Sequence, residues 1–158
     1  MANLDQNPGG NTFAKSLFLF GLVGWVGSAW FFSLLVLPQL FANLDRPEAG
    51  RVAALLFPSY YWLGLIAGLL VLVASLMLAT RARTSFAWKL ATATVAMMFV
   101  CQAWATLVLQ PRAAAMRGKP EYRQNFARVH HRAVLLNGFV VSGGTVLVLC
   151  GGLLLAKH

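Results

Sequence analysis

The chain has 158 residues, 59% of them apolar and only 11% charged. An ordinary soluble domain carries roughly 45–50% apolar and about 25% charged residues. With a mean hydropathy of +0.69, the composition excludes a soluble domain, a wholly disordered chain and a disulfide-rich secreted fold.

Thirteen Lys and Arg against four acids give a net charge of +9. In a soluble protein that excess would point to nucleic acid. Here the charges flank apolar runs, so anionic lipid headgroups are the natural counterions and no nucleic-acid partner is expected. Cys101 and Cys150 both fall inside apolar runs. On antiparallel helices rising about 1.5 Å per residue their depths differ by roughly 10–15 Å. A disulfide needs Cα atoms within about 7 Å, so none is expected.

Residues 1–12 are polar, with Pro8-Gly9-Gly10, and read as a disordered N-terminal tail. Residues 13–158 read as a single four-helix transmembrane domain. A spanning helix needs about 20 apolar residues, and the first is expected over 16–41. Its apolar run continues well past a signal-peptide core, so it reads as a retained span. Pro38 is expected to end or kink it. Arg46-Pro47-Glu48 marks a loop, and Phe57-Pro58 opens a second span over 59–80. The third span covers 86–110, where Gln110-Pro111 stops it. Pro111, three alanines and a Gly118 following Arg117 predict a short interfacial helix over 112–117 in the third loop. The fourth span covers 126–156. The expected fold class is all-α, an integral membrane four-helix antiparallel bundle.

Loops one and three carry Arg46, Arg51, Arg112, Arg117, Lys119, Arg123, Arg128 and Arg132. The tails and loop two carry Lys15, Arg81, Arg83, Lys89 and Lys157. The positive-inside rule then puts loops one and three in the cytoplasm and both termini outside, in a plasma or bacterial inner membrane. Pro38 and Pro47-Glu48 recur as Pro111 and Pro120-Glu121, each 73 positions on, as does Arg46 in Lys119. This is the pattern of a duplicated hairpin related by an axis along the membrane normal; similar loops in a chain of six prolines would also produce it.

Polar groups at membrane depth are costly and need a reason. On the fourth helix Arg123, Phe126, His130 and Asn137 share one face by their spacing. On the third span Gln102, Thr106 and Gln110 form a second stripe that opens toward the same surface. Together with Tyr60 and Arg112 these residues outline a polar pocket: His130, Asn137, Gln102, Gln110, Arg112, Tyr60 and Phe126. The same residues would also serve as interhelical hydrogen-bond glue. Arg112, Arg117, Lys119 and Arg123 are the expected contacts for anionic lipid headgroups.

The three histidines are His130, His131 and His158. Adjacent His130 and His131 point about 100° apart on a helix, and no other span offers an opposed histidine. No cofactor is therefore expected from this chain alone. Met97, Met98 and Cys101 are soft ligands suited to Cu(I) and, with His130, are the metal candidates. Thioethers at helical spacing also fill cores. No carboxylate lies within a span, and no phosphate loop, zinc-ligand pair or nucleophilic-serine motif is present. Nothing in the sequence argues for an enzyme. Gly64-x3-Gly68, Gly24-x3-Ser28 and Gly138-x3-Ser142 offer faces for close helix approach.

The blocks Gln110-Pro111-Arg112-Ala113-Ala114-Ala115-Met116 and Arg123-Gln124-Asn125-Phe126-Ala127-Arg128-Val129-His130, with Asn137 beyond, resemble the transmembrane protein 205-like family. So does Ala49-Gly50-Arg51 leading into Leu56-Phe57-Pro58-Ser59-Tyr60-Tyr61. The resemblance implies a four-helix membrane protein without an assigned activity, linked to tolerance of metal-based drugs. It marks Pro111, Arg112, Phe126, His130, Asn137, Phe57, Pro58 and Tyr60. Family members often carry a histidine early in the first span, where this chain has Lys15-Ser16-Leu17-Phe18, which counts against a two-histidine site.

Three functional readings follow. The first is a protein that binds or transports a small molecule or soft metal species, with a role in stress tolerance. The second is a structural accessory or assembly subunit of a larger membrane complex, or a homo-oligomer. The third is a redox subunit touching a quinone or haem supplied by a partner.

Overall fold

The computed structural model describes residues 8–81 and 86–156, with side chains for 12–80 and 86–151. Among the described residues every regular element is helical. Helix α1 is Pro8–Trp30, continued by a π-helical stretch, Phe31–Val36, and by α2, Leu37–Asn43. Helix α3 is Arg46–Arg81 and α4 is Phe86–Trp104. A second π-helical stretch, Ala105–Leu109, leads into α5, Gln110–Met116. A 3-10 turn, Pro120–Tyr122, then opens α6, Arg123–Ala156. Four stretches are long and apolar enough to cross a membrane: Thr12–Asn43, Arg46–Thr80, Phe86–Met116 and Pro120–Gly151. The protein is a polytopic, all-α membrane bundle.

Each span packs on the next, and the first closes the ring against the fourth. Phe18, Leu22, Trp25, Val71, Val95, Met98 and Val140 fill the centre. Phe18 meets Trp88 edge-on at 5.5 Å between ring centroids. Large apolar side chains such as Phe20, Leu55, Phe86 and Leu149 point outward. On a soluble protein they would form an aggregation surface; on this bundle they face lipid.

Pro111 behaves differently from the sequence expectation and does not stop the third span, while Pro38, expected to end or kink the first, distorts that helix without ending it. A proline inside an α-helix lacks its N–H and clashes with the carbonyl four residues back. Here the helix widens just before each proline. Leu37 N–H reaches the Phe32 carbonyl, five residues back, and Gln110 N–H reaches the Ala105 carbonyl in the same way. A wider turn lets the chain pass its proline and remain helical. The expected short helix of the third loop is therefore α5, running straight on from the third span. Its end is set by Gly118, whose φ of +74° suits glycine after a helix C-cap.

The second span also begins earlier than expected, at Arg46, and Pro58 lies inside it. The start is fixed by Asp45, whose carboxylate accepts the Glu48 N–H at 2.8 Å, an N-cap arrangement. Residues 1–7 of the expected tail lie outside the described residues, and 8–12 are already helical.

The two hairpins share a π-helical stretch followed by a short helix. Helices α2 and α5 have the same length, and their bounds are offset by the same 73 positions as the prolines. Each follows a π-helical stretch. This shared irregularity supports duplication more strongly than the prolines alone.

At about 1.5 Å per residue the 32-residue first span reaches about 48 Å, whereas a hydrocarbon core is about 30 Å thick. The excess places α2, α5 and the first turns of α3 and α6 together at the basic end of the bundle.

Candidate binding site

That end holds a partly open cavity of about 550 Å³. Small-molecule sites run roughly 300–1,000 Å³. Leu37 and Phe41 come from α2, Ala53, Phe57 and Tyr61 from α3, and Phe126, His130 and Ala133 from α6. Leu109, Gln110 and Ala113 complete the wall, and Arg46, Arg51 and Arg117 stand at the loops. Three lining pairs are repeat equivalents: Leu37 with Gln110, Ala53 with Phe126, and Phe57 with His130. The cavity is therefore shared between the two hairpins.

Of the residues singled out from sequence, the cavity brings together His130, Gln110 and Phe126. The His130 ring is exposed and stacks parallel to Phe126, 6.0 Å between centroids. Arg112 is exposed and lies outside the lining. Arg117 lines the cavity, Arg123 is exposed, and Lys119 sits 5.7 Å over the Tyr122 ring.

Asn137 and Tyr60 form a separate group beneath the cavity. The Tyr60 hydroxyl donates to Oδ1 of Asn137, and Asn137 Nδ2 donates to Ser33 Oγ at 3.4 Å. Three spans are joined by this triad. Tyr60 stacks on Phe32 at 4.5 Å, and Phe32 meets Phe57 edge-on at 5.5 Å. The triad thus stiffens the aromatic wall that Phe57 presents to the cavity.

Gln102 is buried and serves a third purpose. Its Nε2 donates to the Tyr61 carbonyl at 3.1 Å, and Thr106 Oγ1 donates to the same carbonyl at 3.2 Å. Among the described residues no hydrogen bond joins Asn137 to Gln102 or Gln110: Asn137 turns to Tyr60 and Ser33, and Gln102 to backbone. The stripe of the third helix divides because the π-helical turn at Ala105–Leu109 rotates Gln110 relative to Gln102. The Trp30 indole donates to Thr145 Oγ1 at 3.0 Å, joining the first span to the fourth.

The soft-ligand residues do not meet His130. Met98 packs in the core, its sulfur 3.2 Å from where a Cβ on Gly143 would stand. Gly143 is thirteen residues beyond His130, about 20 Å along the helix. Met97 faces outward, and Cys101 is partly exposed. Among the described residues no three His, Cys, Asp or Glu side chains are grouped to hold a metal ion.

Of the expected small-residue faces, Gly64-x3-Gly68 is packed, against Gln102 and Trp25. Gly24 and Gly138 have no neighbour within 4 Å of an added Cβ, and Gly21 and Gly144 make the close approaches instead. Sequence reasoning missed Ser33, and it counted Arg46 and Arg51 only as loop charges.

A family model described as a domain of unknown function, DUF4149, matches residues 20–121. The chain belongs to this family. The DUF4149 segment holds most of the first span, the whole of the second and third and both π-helical stretches, and it supplies Arg46, Arg51, Phe57, Tyr61, Gln110 and Arg117 to the cavity. It stops before Phe126, His130 and Asn137. No curated protein and no solved structure matches the chain.

Proposed function

We propose that this protein binds a small organic molecule in the cavity at the basic end of the bundle, as a membrane binding or transport protein. The observation that carries this reading is the cavity itself, walled by both hairpins and largely apolar inside. A small molecule is favoured over a soft metal ion because His130 and the sulfur ligands lie far apart. The loop blocks quoted above favour a transmembrane protein 205-like assignment within the wider family, with a role in stress tolerance. The basic end would face the cytoplasm of a plasma or bacterial inner membrane, leaving the termini outside.

Native mass spectrometry of the full chain, extracted from its membrane in mild detergent, tests the reading. The expected result is a retained non-protein adduct that Ala53→Trp and Ala113→Trp displace while helical content is kept. Equal retention by both filled variants, or no adduct on the parent chain, would overturn it.

A further inference from the structure

We infer that the occupant is an anionic amphiphile, with an aliphatic tail in the cavity and a carboxylate or phosphate head held by Arg46, Arg51 and Arg117. This rests on the cavity reading above. The inner wall is largely apolar, whereas every Asp, Glu, Lys or Arg position of the lining is an arginine. They come from both connections: Arg46 opens α3, Arg51 lies one turn on, and Arg117 caps α5.

One nearby acid is engaged elsewhere, and the other pairs only loosely with one of the three arginines. Asp45 caps α3, and Glu48 lies 3.8 Å from Arg51, with the arginine mostly exposed and the glutamate half exposed, so a bound anion would compete with Glu48 for Arg51. Among the described residues Arg46 and Arg117 have no carboxylate partner, and no acid lines the cavity. Three cations over an apolar chamber suit a ligand with one charged end and a hydrocarbon body. A bare anion would leave the chamber empty, and a neutral oil would leave the arginines unused. The basic end lies beyond the hydrocarbon thickness, so a head held there would sit at the depth of lipid headgroups while its tail reached inward. Two sources share this chemistry, a free fatty acid and an anionic phospholipid.

Binding to the full chain in phosphatidylcholine nanodiscs tests the proposal, with oleate, oleyl alcohol, dioleoyl phosphatidylglycerol and inorganic phosphate as probes. Oleate or the phosphatidylglycerol should bind at least tenfold tighter than oleyl alcohol and inorganic phosphate; whichever is tighter identifies the source. Each well-placed arginine contributes about fivefold. Arg46→Gln with Arg117→Gln should therefore weaken the preferred probe about 25-fold. Arg128→Gln with Arg132→Gln removes the same charge outside the lining and should change binding less than threefold.

Equal losses in the two double variants would mean diffuse surface attraction and overturn the proposal. So would oleyl alcohol matching oleate, or inorganic phosphate matching either anion. In each of those cases displacement of the probes by Ala53→Trp would leave the cavity reading standing. If Ala53→Trp, folded by circular dichroism, bound every probe undiminished, both readings would fall together.

Discussion

A Cβ added to Gly64 would stand 2.7 Å from Nε2 of Gln102. The glycine thus makes room for the amide that bridges the second and third spans through the Tyr61 carbonyl. Gly64→Ala should lower stability despite its better helix propensity, because overpacking a tight contact costs about 1–3 kcal/mol. Gly138→Ala, with open space around it, should leave stability unchanged or raise it slightly. Thermal unfolding of both variants in one detergent checks the pair, and equal midpoints would contradict the contact.

Asn137 and His130 should separate in the same assay. Asn137→Ala removes the partner of Tyr60 and Ser33 and should lower stability by about 0.6–1.7 kcal/mol, the range for hydrogen bonds between membrane helices. His130 is exposed at the cavity, so His130→Ala should stay within about 0.5 kcal/mol of the parent. A larger loss for His130→Ala than for Asn137→Ala would reverse these assignments.

These two residues also mark how far the sequence was legible. Four spans, the basic end and the shared placement of His130, Phe126 and Gln110 along it follow from hydropathy and helical spacing. Those signals depend only on local periodicity. The partners of Asn137 and Gln102 do not follow, because they lie on other spans and depend on how the helices are rotated against one another, and Ser33 lies in a π-helical stretch that re-aims it. That widening leaves no mark on composition; the proline after it is the only local sign. The early start of the second span was hidden for a different reason. Pro58 reads as a helix opener, whereas the capping carboxylate of Asp45 lies thirteen residues before it.

Replacing either proline should act on geometry more than on folding. In Pro38→Ala and Pro111→Ala the N–H returns, and the wide turn before it is free to relax to α-helical spacing. Stability should hold or increase, since an interior proline costs about 3 kcal/mol. Binding at the cavity should weaken several-fold as Leu37 or Gln110 rotates away. Unfolding midpoints and oleate titrations on the same preparations check both halves of this expectation.

Orientation is open to a labelling test. With Cys101→Ala and Cys150→Ala as background, a cysteine placed at Lys119 should resist an impermeant maleimide added to intact cells. It should react once the membrane is permeabilised. Prompt labelling from outside would invert the orientation drawn from the eight basic residues of loops one and three.

The repeat has a consequence for the cavity's two walls. Two identical hairpins paired about an axis would present identical walls, and any guest could then enter in either of two equivalent poses. Within this chain the positions 73 residues apart differ, Leu37 against Gln110 and Phe57 against His130, while Ala53 and Phe126 are both apolar. A single chain thereby permits hydrogen-bonding groups at two positions of one wall where its counterpart is oily. A carboxyl-labelled oleate should give one bound resonance rather than two. The chamber would then hold its guest in a single orientation, which two separate copies of one hairpin could not enforce.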